Sequence, residues 1–195
     1  MATTFASVGA ADGYLTGKCL VAMPGMSDPR FVRAVIYICA HTEEGAMGLV
    51  VNRAIPDFSF VDLLEQLSIP ATPRCEQIQV QFGGPVESQR GFVLHSADYI
   101  HEGTLVVDDA VALTATLEVL RDIAVGTGPS RTLMALGYAG WSAGQLDDEL
   151  RRNVWLTVES DPNVVFGLDL DAKYDRALRS LGVDPSLLSS EGGHA

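Results

Sequence analysis

The chain has 195 residues, with 13 Lys plus Arg against 25 Asp plus Glu, for a formal net charge of −12. This length fits one domain, and at such a size about 70% of the unfolded surface is buried on folding, so a core forms without disulfide or metal staples. Hydrophobic residues at 47% and charged residues at 19% exclude a disordered chain, and the acidic balance disfavours a polyanion binder, which needs a basic stripe.

The acid is uneven. Residues 1–100 carry 6 basic and 10 acidic groups, while residues 101–195 carry 7 and 15. No block of five like charges marks a tail for a basic partner, so the excess reads as a solvated acidic face. Met1 to Gly13 lacks the basic start of a secretory signal. The longest apolar run, Ala34 to Ala40, has seven residues, far short of the ~20 of a membrane span. Cytoplasmic location is expected.

In chain order, the pattern predicts a flexible lead over residues 1–14. A first strand, Gly17 to Met23, stops at Pro24-Gly25. Ala34 to His41 is apolar on both faces, as a central covered strand should be. Thr42 to Gly45 then turns into a second buried strand, Met47 to Asn52. Ser59 to Leu67 is predicted helical, with Phe60, Leu63, Leu64 and Leu67 on one stripe and Ser59 with Asp62 capping it.

Ile78 to Phe82 alternates, which places Gln79 and Gln81 outward. Gly83-Gly84-Pro85 breaks this strand, and Gly91 to His95 is expected as its return partner. Thr104 to Val107 is a short strand. Asp108 and Asp109 are expected to open a helix to Ala124. Arg131 to Gly137 is a buried strand, Ser142 to Arg152 a helix, Val154 to Val158 a strand, and Ala172 to Leu181 a last helix. A flexible tail over residues 183–195 completes the plan. Hairpin-like pairs mixed with helices, without regular βαβ alternation, indicate an α+β domain over residues 15–182 with a largely antiparallel sheet.

Three cysteines and no C-x-x-C argue against a disulfide framework. Cys19 and Cys39 sit in apolar runs as core residues. Cys75 is expected in a polar loop beside Arg74, where a neighbouring guanidinium would favour the thiolate.

Gly140-Trp141-Ser142-Ala143-Gly144 fits G-x-S-x-G between a predicted strand and helix, the setting of a nucleophile elbow. The only later histidine is His194. Ser142 with Gln145 also fits a capping box, and that reading is preferred. Cys39 and His41, two apart, should share a strand face, where a thiolate and an imidazole are half of a zinc ligand set; with no second close-spaced pair, a core thiol and a hydrogen-bonded imidazole is the preferred reading and no metal is expected. Gly83 and Gly84, with Arg90 nearby, suggest either a tight turn or a small-anion nest. No cofactor motif is present, and no cofactor is expected.

Several blocks resemble the YqgE/AlgH family. They are Leu20-Val21-Ala22-Met23-Pro24-Gly25-Met26-Ser27-Asp28-Pro29-Arg30-Phe31, Arg33 to His41, Gly45 to Arg53, Gly83-Gly84-Pro85-Val86, Arg90 to His95, Leu136 to Trp141, Gly144-Gln145-Leu146 and Arg176 to Gly182. The resemblance spans most of residues 15–182. It implies a single α+β domain whose branched, mostly antiparallel sheet curls into a pseudo-barrel with surrounding helices. The family carries the label of transcriptional regulator, after a bacterial member linked to alginate production. It brings no catalytic residues to transfer.

The polar residues of these blocks include Asp28, Arg33, His41, Asn52, Arg53, Arg90, His95, Tyr138 and Trp141. Together with Gly83 and Gly84, several are expected to converge on one concave face that binds a small ligand or a protein partner. The function expected first is therefore a non-catalytic binding module with an indirect regulatory role. A small hydrolase using Ser142 is second. A regulator that grips DNA directly is third, and net −12 counts against it.

Overall fold

The computed structural model describes residues 14–185. The lead over residues 1–13, the end of the tail and His194 lie outside the described residues. Ten strands make one branched sheet: β1 (Lys18–Ala22), β2 (Val35–Thr42), β3 (Gly45–Val50), β4 (Ala54–Ser59), β5 (Gln79–Phe82), β6 (Val86–Ser96), β7 (Thr104–Val106), β8 (Val111–Thr114), β9 (Thr132–Ser142) and β10 (Trp155–Glu159). Around it stand α1 (Phe60–Gln66), α2 (Leu117–Val125), α3 (Gln145–Arg151), α4 (Pro162–Val165) and α5 (Leu170–Ser180), with a 3-10 turn at Pro73–Gln77. The sheet curls into a half-barrel, as the α+β expectation required.

The main strand path is β10-β1-β2-β3-β9-β6-β8-β7. The long β9 is the branch point. Its second half pairs with β3, its first half pairs in parallel with β5, and β6 runs antiparallel along its other edge. Alternation on β6 and β9 separates two cores. Leu94, Leu133 and Ala135 face the core beneath α5, while Val93 and Met134 face the core beneath α1 and α2. A third core joins Leu20, Ile36, Ile38 and Val50 to Trp141, Leu146 and Trp155.

Most predicted elements stand. Ser59 caps α1 and completes a capping box with Asp62. Four expectations fail for physical reasons. Gly91 to His95 is not the return partner of Ile78 to Phe82, because β9 lies between β5 and β6. The connection crosses close to β9, and a Cβ on Gly83 would lie 2.2 Å from the Gly137 carbonyl oxygen. The glycines thus serve a backbone crossing, not a turn into the neighbouring strand.

Asp108 does not open a helix. Its Oδ1 accepts from the Ala110 and Val111 amides, each at 2.8 Å, and so starts β8. Helix α2 begins only at Leu117. Gln81 is buried, not outward, and its Oε1 has no hydrogen-bond partner. Outward alternation holds at exposed Gln79 and fails at Gln81, where that face of β5 becomes covered. Cys75 is fully buried in the 3-10 turn, with the Thr72 hydroxyl at 3.8 Å and the Ala124 carbonyl at 4.0 Å. Burial in an apolar core removes the exposure that a redox-sensitive thiol needs.

Strand β4 and helix α4 have no counterpart among the predicted elements. Pro56 and the positive φ of Asp57, 57°, interrupt the pattern by which β4 would be read.

Candidate functional site

The structure distributes the nominated residues over several places. His95 lies at 0% exposure, its Nδ1 2.9 Å from the Ser96 carbonyl and its Nε2 2.8 Å from the Thr114 hydroxyl. Burial holds its pKa below the ordinary imidazole value. His41 accepts from the Leu15 amide at 3.2 Å and packs edge-on against Tyr14. Burial lowers its pKa too. Tyr138 packs against Phe92, and Arg90 lies over the same Phe92 ring while pairing with Glu87. Asp28 is held by Arg30, whose hydrogen bonds keep its carboxyl below the usual range.

Cys39 and His41 do not share a face. The β2–β3 register shifts between Ile38 and Ala40, so Cys39 occupies a bulge. Cys39 then joins the core beneath α5, while His41 pairs with Ala46, which belongs to the opposite core. One inserted residue inverts the alternation that the spacing implies. Among the described residues, no group of three or more His, Cys, Asp or Glu side chains could hold a metal ion.

Ser142 ends β9 and does not cap α3. The N-cap is Gly144, at φ 72°, and it makes no side-chain cap bond. The Ser142 hydroxyl instead donates to Gln145 Oε1 at 3.2 Å. Among the described residues no histidine hydrogen-bonds it. Trp141 is buried, and its indole N–H donates to Glu149 at 2.9 Å, beside that of Trp155 at 2.7 Å. A Cβ on Gly84 would lie 2.0 Å from the Tyr138 carbonyl carbon, so this glycine serves the same close crossing as Gly83.

Three nominated residues do meet. Arg33, Asn52 and Arg53 line one cleft of about 610 Å³ with Gln79, Asp171 and Tyr174. Asn52 orders its wall, accepting from the Val35 amide at 2.9 Å and donating to the Arg33 carbonyl at 2.8 Å. Arg53 reaches across to the Arg30 and Val32 carbonyls. Arg33 pairs with Asp175 at 2.9 Å and stacks on Tyr174 at 4.3 Å. The cleft therefore presents both signs of charge on an ordered frame.

A family model described as AlgH-like matches residues 19–186. The chain belongs to the AlgH-like family. It is 63% identical to a UPF0301 protein of Rhodospirillum rubrum over 184 residues, covering 94% of this chain and 96% of that protein. A UPF0301 protein of a Methylobacterium species is 53% identical, covering 99% and 96%. The solution structure of AlgH from Pseudomonas aeruginosa superposes with a TM-score of 0.79 at 43% identity, covering 96% of this chain and all of that one. A Corynebacterium diphtheriae protein shares the fold, with a TM-score of 0.67 at 20% identity.

Two features of this AlgH-like chain had no signal in the sequence. Gln79 and Asp171 enter the cleft as ordinary polar surface residues of a strand and a helix. Lys173 is fully buried, with Nζ donating to the Val51 and Val165 carbonyls at 2.7 and 2.6 Å. A lysine in an amphipathic helix ordinarily marks the solvated face.

Proposed function

We propose that the protein is a non-catalytic binding module that recognises a small polar ligand in the cleft between Arg33, Arg53 and Asp171. Its regulatory role is indirect and exerted in the cytoplasm. The observation that carries this reading is the meeting of Arg33, Asn52 and Arg53 in one cleft of about 610 Å³, within the ordinary range for small-molecule sites. Asn52 and Arg53 spend their hydrogen bonds on holding the wall, which leaves Gln79 and Asp171 for the ligand, and Arg33 meets it by exchanging its exposed ion pair with Asp175. Groups of both signs suit a ligand that itself carries both, such as a zwitterion.

The acidic chain, at net −12, supports action through a ligand or protein partner over direct contact with DNA. No helix of the described residues is long and apolar enough to cross a membrane. Three free, buried cysteines suit a reducing compartment.

The test is a thermal-shift screen of zwitterionic metabolites, followed by titration of Arg33→Ala and Gln79→Ala. Both substitutions are exposed and leave the cores untouched. The expected result is a hit whose stabilisation falls in both variants while their secondary structure persists. A hit that both variants keep, or a screen without hits, rejects the reading.

A further inference from the structure

A second cleft, of about 770 Å³, opens on the neighbouring surface and shares only Leu168 with the first. Its floor is apolar, formed by Ile78, Ile123 and Phe166, and its polar wall carries Arg74 and Arg131. Four other arginines, Arg30, Arg33, Arg90 and Arg151, are each held by a carboxylate. The Arg74 guanidinium has no ion pair or hydrogen bond among the described residues, and the Arg131 guanidinium donates only to the Asn163 amide oxygen, at 3.2 Å. Seven of the eleven arginines form no salt bridge among the described residues, so what distinguishes Arg74 and Arg131 is that the two line one cleft together with apolar residues.

The fold makes room for this arrangement. The Arg74 guanidinium lies against Gly126, where a Cβ would come within 1.9 Å of its Nη1, and Gly126 sits at φ +87°. The positive φ favours glycine, and without a Cβ the guanidinium can lie directly on the backbone. Arg176 brings a third guanidinium to the edge, 3.9 Å from where a Gly167 Cβ would stand.

The backbone amides nearby are already used. Gly126, Thr127 and Gly128 all donate to the Asp122 carbonyl, and Ser130 donates to Asp98. Asp98 is the acid of the cleft, and its charge is taken up by the Ser96 hydroxyl and the Ser130 amide. Recognition of an anion there falls to the arginine side chains.

We propose that this cleft binds a phosphorylated small molecule, with the phosphate on Arg74 and Arg131 and an apolar body over Ile78, Ile123 and Phe166. Two guanidiniums supply a charge that matches the −1.5 to −2 of a phosphate monoester, and their planar forks suit its oxygens. The apolar floor gives the remainder of the ligand a surface to cover. This site goes beyond the mixed-charge cleft at Arg33 and stands or falls separately from it.

The test is fluorescence titration of the full chain with 1-naphthyl phosphate at low salt. The naphthol and inorganic phosphate serve as arms that lack the charge or the body. Wild type should bind 1-naphthyl phosphate saturably and more tightly than either arm. Arg131→Met should weaken binding by about tenfold or more, since each lost charged contact carries that scale of affinity. Arg74→Met should do the same, and Arg151→Met, exposed on α3 outside both clefts, should leave binding unchanged. Arg74 also lies at the α2 C-terminus, so circular dichroism must show that its variant is folded. Where that variant does not fold, Arg131→Met alone decides. No saturable binding by wild type, or binding unchanged in Arg131→Met, overturns the proposal.

Discussion

Lys173 donates its ammonium to the main-chain carbonyl of Val51, 122 residues earlier in the chain, at 2.7 Å. A second bond, to Val165, ties α5 to α4 at the same atom. One buried cation thus joins the end of β3 to the C-terminal helices, and its charge is solvated by carbonyls alone.

Burial pushes the Lys173 pKa down to about 8 from 10.5. Between these values the unfolded chain binds the proton more than the folded one, so this group adds stability as pH rises and loses it as pH falls through 8. From pH 8 to 9 the gain is about 1 kcal/mol. Cys19 and Cys39, both pushed up by burial, oppose this gain as their unfolded thiols begin to ionise in the same interval, so the Lys173 contribution is read as a difference. Urea denaturation at pH 8 and pH 9 should show stability falling more steeply with pH in Lys173→Met than in wild type.

At the acid end, burial lowers the pKa values of His95 and His41. Their neutral forms contribute stability that is present above pH 6.5 and lost as pH falls through the folded-state values. Thermal unfolding should occur at lower temperature at pH 5 than at pH 7. His95→Gln should show a smaller drop, with the remainder owed partly to His41.

Glu149 accepts from both indoles of the chain through one oxygen, and from Gln145 through the other. Glu149→Ala leaves the N–H groups of two buried indoles without their partner. The expected loss is roughly 2 kcal/mol in chemical denaturation, with a shifted tryptophan emission in the native state.

Gly83→Ala forces a Cβ to within 2.2 Å of the Gly137 carbonyl, a backbone atom that cannot swing away. Destabilisation of about 3 kcal/mol is expected, measured by calorimetry. An unchanged melting temperature would contradict the crossing of the chain over β9.

Ser142→Ala removes one exposed bond to Gln145. Stability should stay within about 0.5 kcal/mol of wild type. A fluorophosphonate probe should leave both proteins unlabelled. Labelling of wild type alone would reinstate the hydrolase reading.

The strands at β1, β2 and β3, the helix capped by Ser59 and the last helix are legible because each is signalled by its own residues. Period-two or period-3.6 hydrophobicity, a cap and a Gly or Pro stop are local properties. The long β9 is legible only in its first half. Val111 to Thr114 reads as helix in the sequence because Leu113 fits a helical stripe with Leu117 and Leu120. The competing signal, the Asp108 turn, depends on hydrogen bonds and not on spacing.

The candidate site divides in the same way. Residue chemistry alone marked Asn52 and Arg53 as polar groups at a strand end, and the matching blocks marked the family and added Arg33. That His95 is a core residue, that Cys39 and His41 face opposite sides, and that Arg74 stands free beside Arg131 followed from contacts between distant segments. A bulge belongs to a pair of strands, a buried lysine needs carbonyls from two other segments, and a cleft needs walls from several. Composition, charge and periodicity were enough for an acidic α+β domain, and the matching blocks for the family. Which polar groups are spent on the fold, and which are left to meet a ligand, was decided by packing.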